Sequence, residues 1–236
     1  MISILTNRLK RLVDAVDNLL FPHCCPVCGR SLNDSEKCIC EACFLEMPRP
    51  TVIDGRMTHL DILFLGTKAV DAAISLFQYN RQSLYANIIK DIKYHNSPQI
   101  GMHLAERFAR EHTDDNWFAD IDMVIPVPLH ASKLRRRGYN QSVWIARGIS
   151  EATSIPVVEA IYAAKPHRTQ TSKSVVERRQ NVKDVFDCST DLTDKTVLIV
   201  DDVITTGATI SECADLAAAH GAKSVKVLSL AFAESV

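Results

Sequence analysis

Two clusters in this sequence combine residue types that do chemistry. In the first, the apolar run Val197, Leu198, Ile199 and Val200 leads directly into Asp201 and Asp202, and then into Val203, Ile204, Thr205, Thr206, Gly207, Ala208 and Thr209. A β-branched run of this kind reads as a buried strand. Buried parallel strands end at the ligand-binding edge of their sheet, which would set both acids where a ligand can meet them. Adjacent carboxylates suit the vicinal hydroxyls of a ribose or a metal-bound polyol. Small residues and hydroxyls in the following loop let backbone N–H groups approach a phosphate, and the next helix adds the positive end of its dipole.

The second cluster is a cysteine block. Six of the eight cysteines, Cys24, Cys25, Cys28, Cys38, Cys40 and Cys43, crowd together near the N-terminus, while Cys188 and Cys213 stand alone. No secretion signal is legible ahead of them, so the crowding favours a metal over disulfides. Cys25 with Cys28 and Cys40 with Cys43 form two CxxC knuckles, a spacing that lets four thiolates converge on one tetrahedral Zn²⁺. Four thiolates leave no open coordination position, so the zinc is structural. A ligand set that draws on Cys24, Cys38 or His23 is the alternative.

Charge narrows the partners. Lys and Arg total 27 against 28 Asp and Glu, a net charge of −1, which excludes a globally basic nucleic-acid binder. Lys133, Arg135, Arg136 and Arg137 nevertheless form a local basic run, and a second group lies between Lys165 and Arg179, so anions are expected locally. A solvated face is the plain reading of the first run, with pyrophosphate or nucleic acid as the others. Acids and bases interrupt the N-terminal apolar stripe, so no membrane span is expected and the reading is a cytoplasmic protein.

A chain of 236 residues exceeds the usual domain of roughly 100 to 150 residues. Residues 1–50 are expected to hold an amphipathic helix and the cysteine module, and residues 51–236 one larger domain. In the latter, strands are expected at 70–79, 123–127, 157–163, 196–200 and 224–232. Helices are expected at 83–93, 102–112, 142–153 and 210–220, with Gly221 as the last one's cap. Strands alternating with helices predict an α/β fold, a mostly parallel sheet with helices on both faces.

The segment 197–209 resembles the phosphoribosyl pyrophosphate (PRPP) loop of type I phosphoribosyltransferases. Further segments resemble the ComF branch of that superfamily: Lys93-Tyr94-His95, Ile125 through His130, Arg137-Gly138-Tyr139-Asn140-Gln141-Ser142, Arg168-Thr169, and Arg179-Gln180-Asn181-Val182. The resemblance implies a type I phosphoribosyltransferase-like domain behind a small zinc-ribbon module. It implies that Asp201 and Asp202 hold the ribose 2- and 3-hydroxyls and that Thr205, Thr206, Gly207, Ala208 and Thr209 cradle the 5-phosphate. Arg137 and the backbone at Gly138 would contact pyrophosphate, and residues 165–180 would close over PRPP, with Arg168 counted beside the two acids as catalytic. Mg²⁺ would accompany PRPP. The implied function is a PRPP-binding phosphoribosyltransferase with a role in natural transformation, its partners being PRPP or pyrophosphate and also single-stranded DNA and the competence machinery. The rival readings are a non-catalytic single-strand binder and a PRPP sensor.

Overall fold

The computed structural model describes residues 24–53, 57–67, 69–164 and 186–233. The expected N-terminal helix and the loop carrying Arg168, Lys173 and Arg179 lie outside them. The helices are α1 (Glu41–Leu45), α2 (His59–Phe64), α3 (Ala86–Tyr94), α4 (Pro98–Glu111), α5 (Ala131–Arg137), α6 (Gln141–Thr153) and α7 (Ala208–Ala219). The strands are β1 (Val52–Ile53), β2 (Met57–Thr58), β3 (Ala72–Gln78), β4 (Met123–Pro126), β5 (Ile161–Ala163), β6 (Phe186–Cys188), β7 (Thr196–Ile204) and β8 (Ser224–Phe232). No described helix is long and apolar enough to cross a membrane.

The central sheet runs β3-β8-β7-β4 with every neighbouring pair parallel. Parallel strands are covered on both faces, which is why β7 opens on five consecutive buried residues. Alternation then sorts its side chains. Leu198 and Val200 join Leu228, Leu230 and Val124 under residues of α3, α4 and α6, whereas Val197 and Ile199 join Val225 and Val227 under α2 and α7. The tightest seam is between α4 and α6, where a Cβ on Gly148 would stand 2.0 Å from the Met102 carbonyl oxygen. Only glycine permits that approach.

Three expectations need correction. Residues 157–163 do not extend the main sheet as a strand: Val157 makes a single parallel bridge to Val124, and β5 instead pairs antiparallel with β6. The strand expected to stop at Val200 runs on to Ile204, so both acids lie within β7 rather than in the loop after it. The basic run 131–137, given no element from sequence, is the helix α5. It is short and has no buried residue, so apolar periodicity had nothing to report.

The cysteine module packs into the same apolar cluster as the α/β core, with Cys25, Val27, Ile39, Phe44 and Met47 joining Leu76, Phe77, Leu104 and Phe108. Arg107 of α4 lies 3.4 Å from the Phe44 ring centroid and makes two hydrogen bonds to Glu41, at 2.6 and 2.8 Å. The Tyr85 hydroxyl donates to the Cys43 carbonyl at 2.9 Å, tying the module to the start of α3.

Candidate ligand site and metal centre

The carboxyl ends of β4 and β7 open onto a cavity of about 410 Å³. Sequence reasoning placed Asp201, Asp202, Thr209 and Arg137 at one site, and the structure brings all four to its wall. Asp201 Oδ1 accepts from the Ser142 hydroxyl at 2.9 Å and from the Asp202 backbone N–H at 2.8 Å. Asp202 is 3% exposed, and its Oδ1 accepts from the Val203 N–H at 2.9 Å. Its Oδ2 lies 2.8 Å from Lys93 Nζ. The two acids were expected where a ligand can meet them, and Asp202 proves to be a buried charge compensated by a lysine from α3. Burial, with the neighbouring Asp202 charge second, pushes Asp201 up to about 7. Such a raised carboxyl in a cleft is characteristic of functional sites.

Facing the acids is a basic wall. On α5, Lys133, Arg136 and Arg137 line the cavity together with His130, while Arg135 lies outside its lining. The spacing 133, 136, 137 is one helical face. Most of the run is therefore turned into the site instead of being only a solvated surface. Arg137 donates to Gln141 Oε1, and its guanidinium sits 5.8 Å from the Tyr94 ring centroid. Gly138 is the C-cap of α5 at φ +85° and lies outside the cavity lining; what it supplies here is the left-handed turn that ends the helix.

The expected phosphate loop caps α7. Thr205, Thr206, Ala208 and Thr209 are exposed, and Gly207 is the N-cap at φ +73°. A Cβ on Gly207 would also stand 3.1 to 3.3 Å from the Leu63 and Phe64 side chains, which would have to give by a few tenths of an ångström, so the positive φ is what favours glycine here. Of this loop only Thr209 lines the cavity; Thr205, Thr206, Gly207 and Ala208 are not among its lining residues. Lys93, Ser142 and Glu212, also on the wall, were given no role from sequence, because each lies on a different helix and no local spacing connects them to β7.

The metal centre has a simpler geometry. The Sγ atoms of Cys25, Cys28, Cys40 and Cys43 all lie within 4.8 Å of one another, with Cys28 and Cys40 at 3.7 Å. Zn–S bonds of about 2.3 Å in a tetrahedron require S–S separations of roughly 3.8 Å, so the four thiols fit a zinc ion. Cys24 and Cys38 fall outside the cluster, and burial pushes the Cys38 thiol up to about 12. Among the described residues this is the sole group of three or more such side chains able to hold a metal.

Residues 93–235 match the phosphoribosyl transferase domain family. Competence protein F of Haemophilus influenzae is 36% identical over 114 residues, 47% of this chain and 50% of that one. A DNA utilization protein of Salmonella typhimurium is 25% identical over 207 residues, covering 86% of this chain and 87% of its own. The chain spans about half the length of the first curated relatives it matches. A glutamine PRPP amidotransferase from B. subtilis, bound to ADP and GMP, overlaps at a TM-score of 0.40 with 25% identity over 56% of this chain and 26% of its own. The chain, with its parallel sheet, strand-end cavity and four-cysteine module, belongs to the phosphoribosyl transferase domain family, in its ComF branch.

Proposed function

We propose that the cavity binds PRPP and that the chain is a phosphoribosyltransferase-like protein acting in DNA uptake. One observation carries the reading: a single cavity opposes a carboxylate pair to a wall of Lys133, Arg136 and Arg137, with the start of α7 beside them. PRPP has the matching halves, vicinal hydroxyls that donate to carboxylates and phosphates that accept from cations and backbone N–H groups. On this reading the ribose hydroxyls meet Asp201 and Asp202, and the 5-phosphate meets the turn of Thr205, Thr206, Gly207, Ala208 and Thr209 at the positive end of α7. Pyrophosphate lies along α5, where the Arg137 fork matches two of its oxygens.

Transfer breaks the bond between ribose C1 and pyrophosphate, which departs with the electron pair, while an acceptor nucleophile bonds to C1. Charge that builds on the leaving oxygen is what the α5 wall offsets. Lys93 pairs with Asp202 and so keeps two adjacent carboxylates compatible with an anionic ligand. Mg²⁺ supplies charge neutralisation when it arrives with the pyrophosphate. Arg168 remains a proposed contributor on the segment outside the described residues. The names of the relatives, competence protein F and DNA utilization protein, support the role in DNA uptake.

Calorimetric titration with PRPP and Mg²⁺ tests the site. Arg136→Ala is expected to weaken binding by about tenfold, the worth of one charged hydrogen bond of roughly 1.5 kcal/mol, whereas Arg135→Ala leaves it unchanged. Equal effects from both variants would mean that the run acts only through bulk charge. Pyrophosphate release against a panel of bases and amines then tests transfer.

A further inference from the structure

We infer that the groove on the other side of α5 is a base-stacking track for single-stranded nucleic acid, which leads a nucleobase-bearing acceptor to the PRPP cavity. This rests on the PRPP reading of that cavity. The groove measures about 590 Å³, more than the roughly 410 Å³ of the cavity itself, so one base would fill only part of it. Helix α5 is the wall between the two. Ala131 and Leu134 line the groove, while Lys133, Arg136 and Arg137 line the cavity. The two spaces meet at Pro128, Leu129 and Ala163, which line both.

The groove gathers three aromatic residues, Tyr139, Trp144 and Tyr162. Tyr162 is 43% exposed and its hydroxyl donates to Asp187 at 2.8 Å, while the Tyr139 hydroxyl donates to the Ile92 carbonyl at 2.5 Å. Both rings are thus held in place before a ligand arrives, which lowers the ordering cost of binding. The Arg147 guanidinium, exposed, lies 5.4 Å from the Trp144 ring centroid. Aromatic faces backed by arginine are the surface on which successive bases stack, whatever the sequence. Glu159, exposed, also lines the groove and repels phosphates beside it, which leaves them to the exposed Arg147 and to Arg135 of α5, which is not part of the cavity wall. Aromatics make up only 6% of the chain. Their convergence on one groove beside the cavity argues for base stacking as well.

The chain has two tryptophans, and Trp117 is engaged with Phe118 and Lys226. In the zinc-loaded full chain carrying Trp117→Phe, Trp144 becomes the one indole, and titration with unlabelled oligo-dT is expected to quench its emission. Tyr162→Ser and Arg147→Gln should each weaken oligo-dT binding, read by anisotropy of a fluorescent strand, by on the order of tenfold. Calorimetric affinity for PRPP should stay at the parent value in both, so loss of PRPP binding there would count against the partition between groove and cavity. Failure of the parent chain to bind PRPP while Trp144 is still quenched would sink the cavity reading alone. Anisotropy binding without quenching, and unaffected by Tyr162→Ser and Arg147→Gln, would overturn the track. Quenching by dTMP at the same concentration as by the oligomer would overturn the strand in favour of a mononucleotide.

Discussion

Replacing Lys93 by Met should destabilise the protein far more than replacing its partner Asp202 by Asn, although both changes break one ion pair. Lys93 Nζ and Asp202 Oδ2 are 2.8 Å apart, with side-chain exposures of 23% and 4%. The asymmetry follows from those exposures. Without Lys93, the Asp202 carboxylate stays fixed in β7 beside Asp201, and a buried charge stripped of its partner costs about 3 to 5 kcal/mol. Without the Asp202 charge, Lys93 sits on a flexible stem at the last turn of α3 and can carry its ammonium to water. Asn at position 202 also keeps an oxygen for the Val203 N–H, so that change should cost about 1 kcal/mol. Because Lys93 is partly exposed, the lower end of the first range applies, about 3 kcal/mol. For a chain of this size that is a fall in Tm of roughly 6 to 12 °C. Combining Lys93→Met with Asp202→Asn should recover part of the loss, since the stranded charge is gone. Urea unfolding of the four proteins in a double-mutant cycle measures all of this. If Lys93→Met costs under 1 kcal/mol, or the double variant is less stable than Lys93→Met alone, the pair is not the buried, mutually compensating one described here.

Asp201 is raised in the folded state, by burial first and by Asp202 second, so its ionisation opposes folding. Its favourable contribution is present below the ordinary carboxylate range near 3.8 and is lost as pH rises toward about 7. The stability gained by Asp201→Asn over the parent should accordingly grow from about pH 4 to about pH 7, in paired urea melts, and a gap that stays flat over that window would contradict it. Chelating zinc, or changing Cys43 to Ser, should lower the melting temperature of the entire chain in a single transition, since Phe44 and Met47 share a cluster with Leu104 and Phe108. Calorimetry that resolves an early module transition and an unshifted second one would show two independent units. Gly148→Ala drives a methyl into the Met102 carbonyl and should cost about 3 kcal/mol, while Gly66→Ala, which meets nothing, serves as the control in thermal melts.

Features that depend on neighbours along the chain are legible before any folding is considered. The run from Val197 to Val200, buried on both faces, needs apolar residues in succession, and the alternation of strands with helices then dictates parallel pairing. The two CxxC knuckles define their metal geometry through short loops, and the four sulfurs do converge. The acids of β7 and the glycine that caps α7 were visible for the same reason. Tertiary structure decided everything that joins distant segments. Lys93 reaches Asp202 only because α3 packs against the sheet that carries β7, and no period in the sequence connects the two positions. The basic run became an inward wall because α5 has a phase, which a segment with no buried residue does not announce. Aromatics are scarce along the chain, and the fold brings three of them to one groove, because concentration on a surface is set by packing and not by abundance.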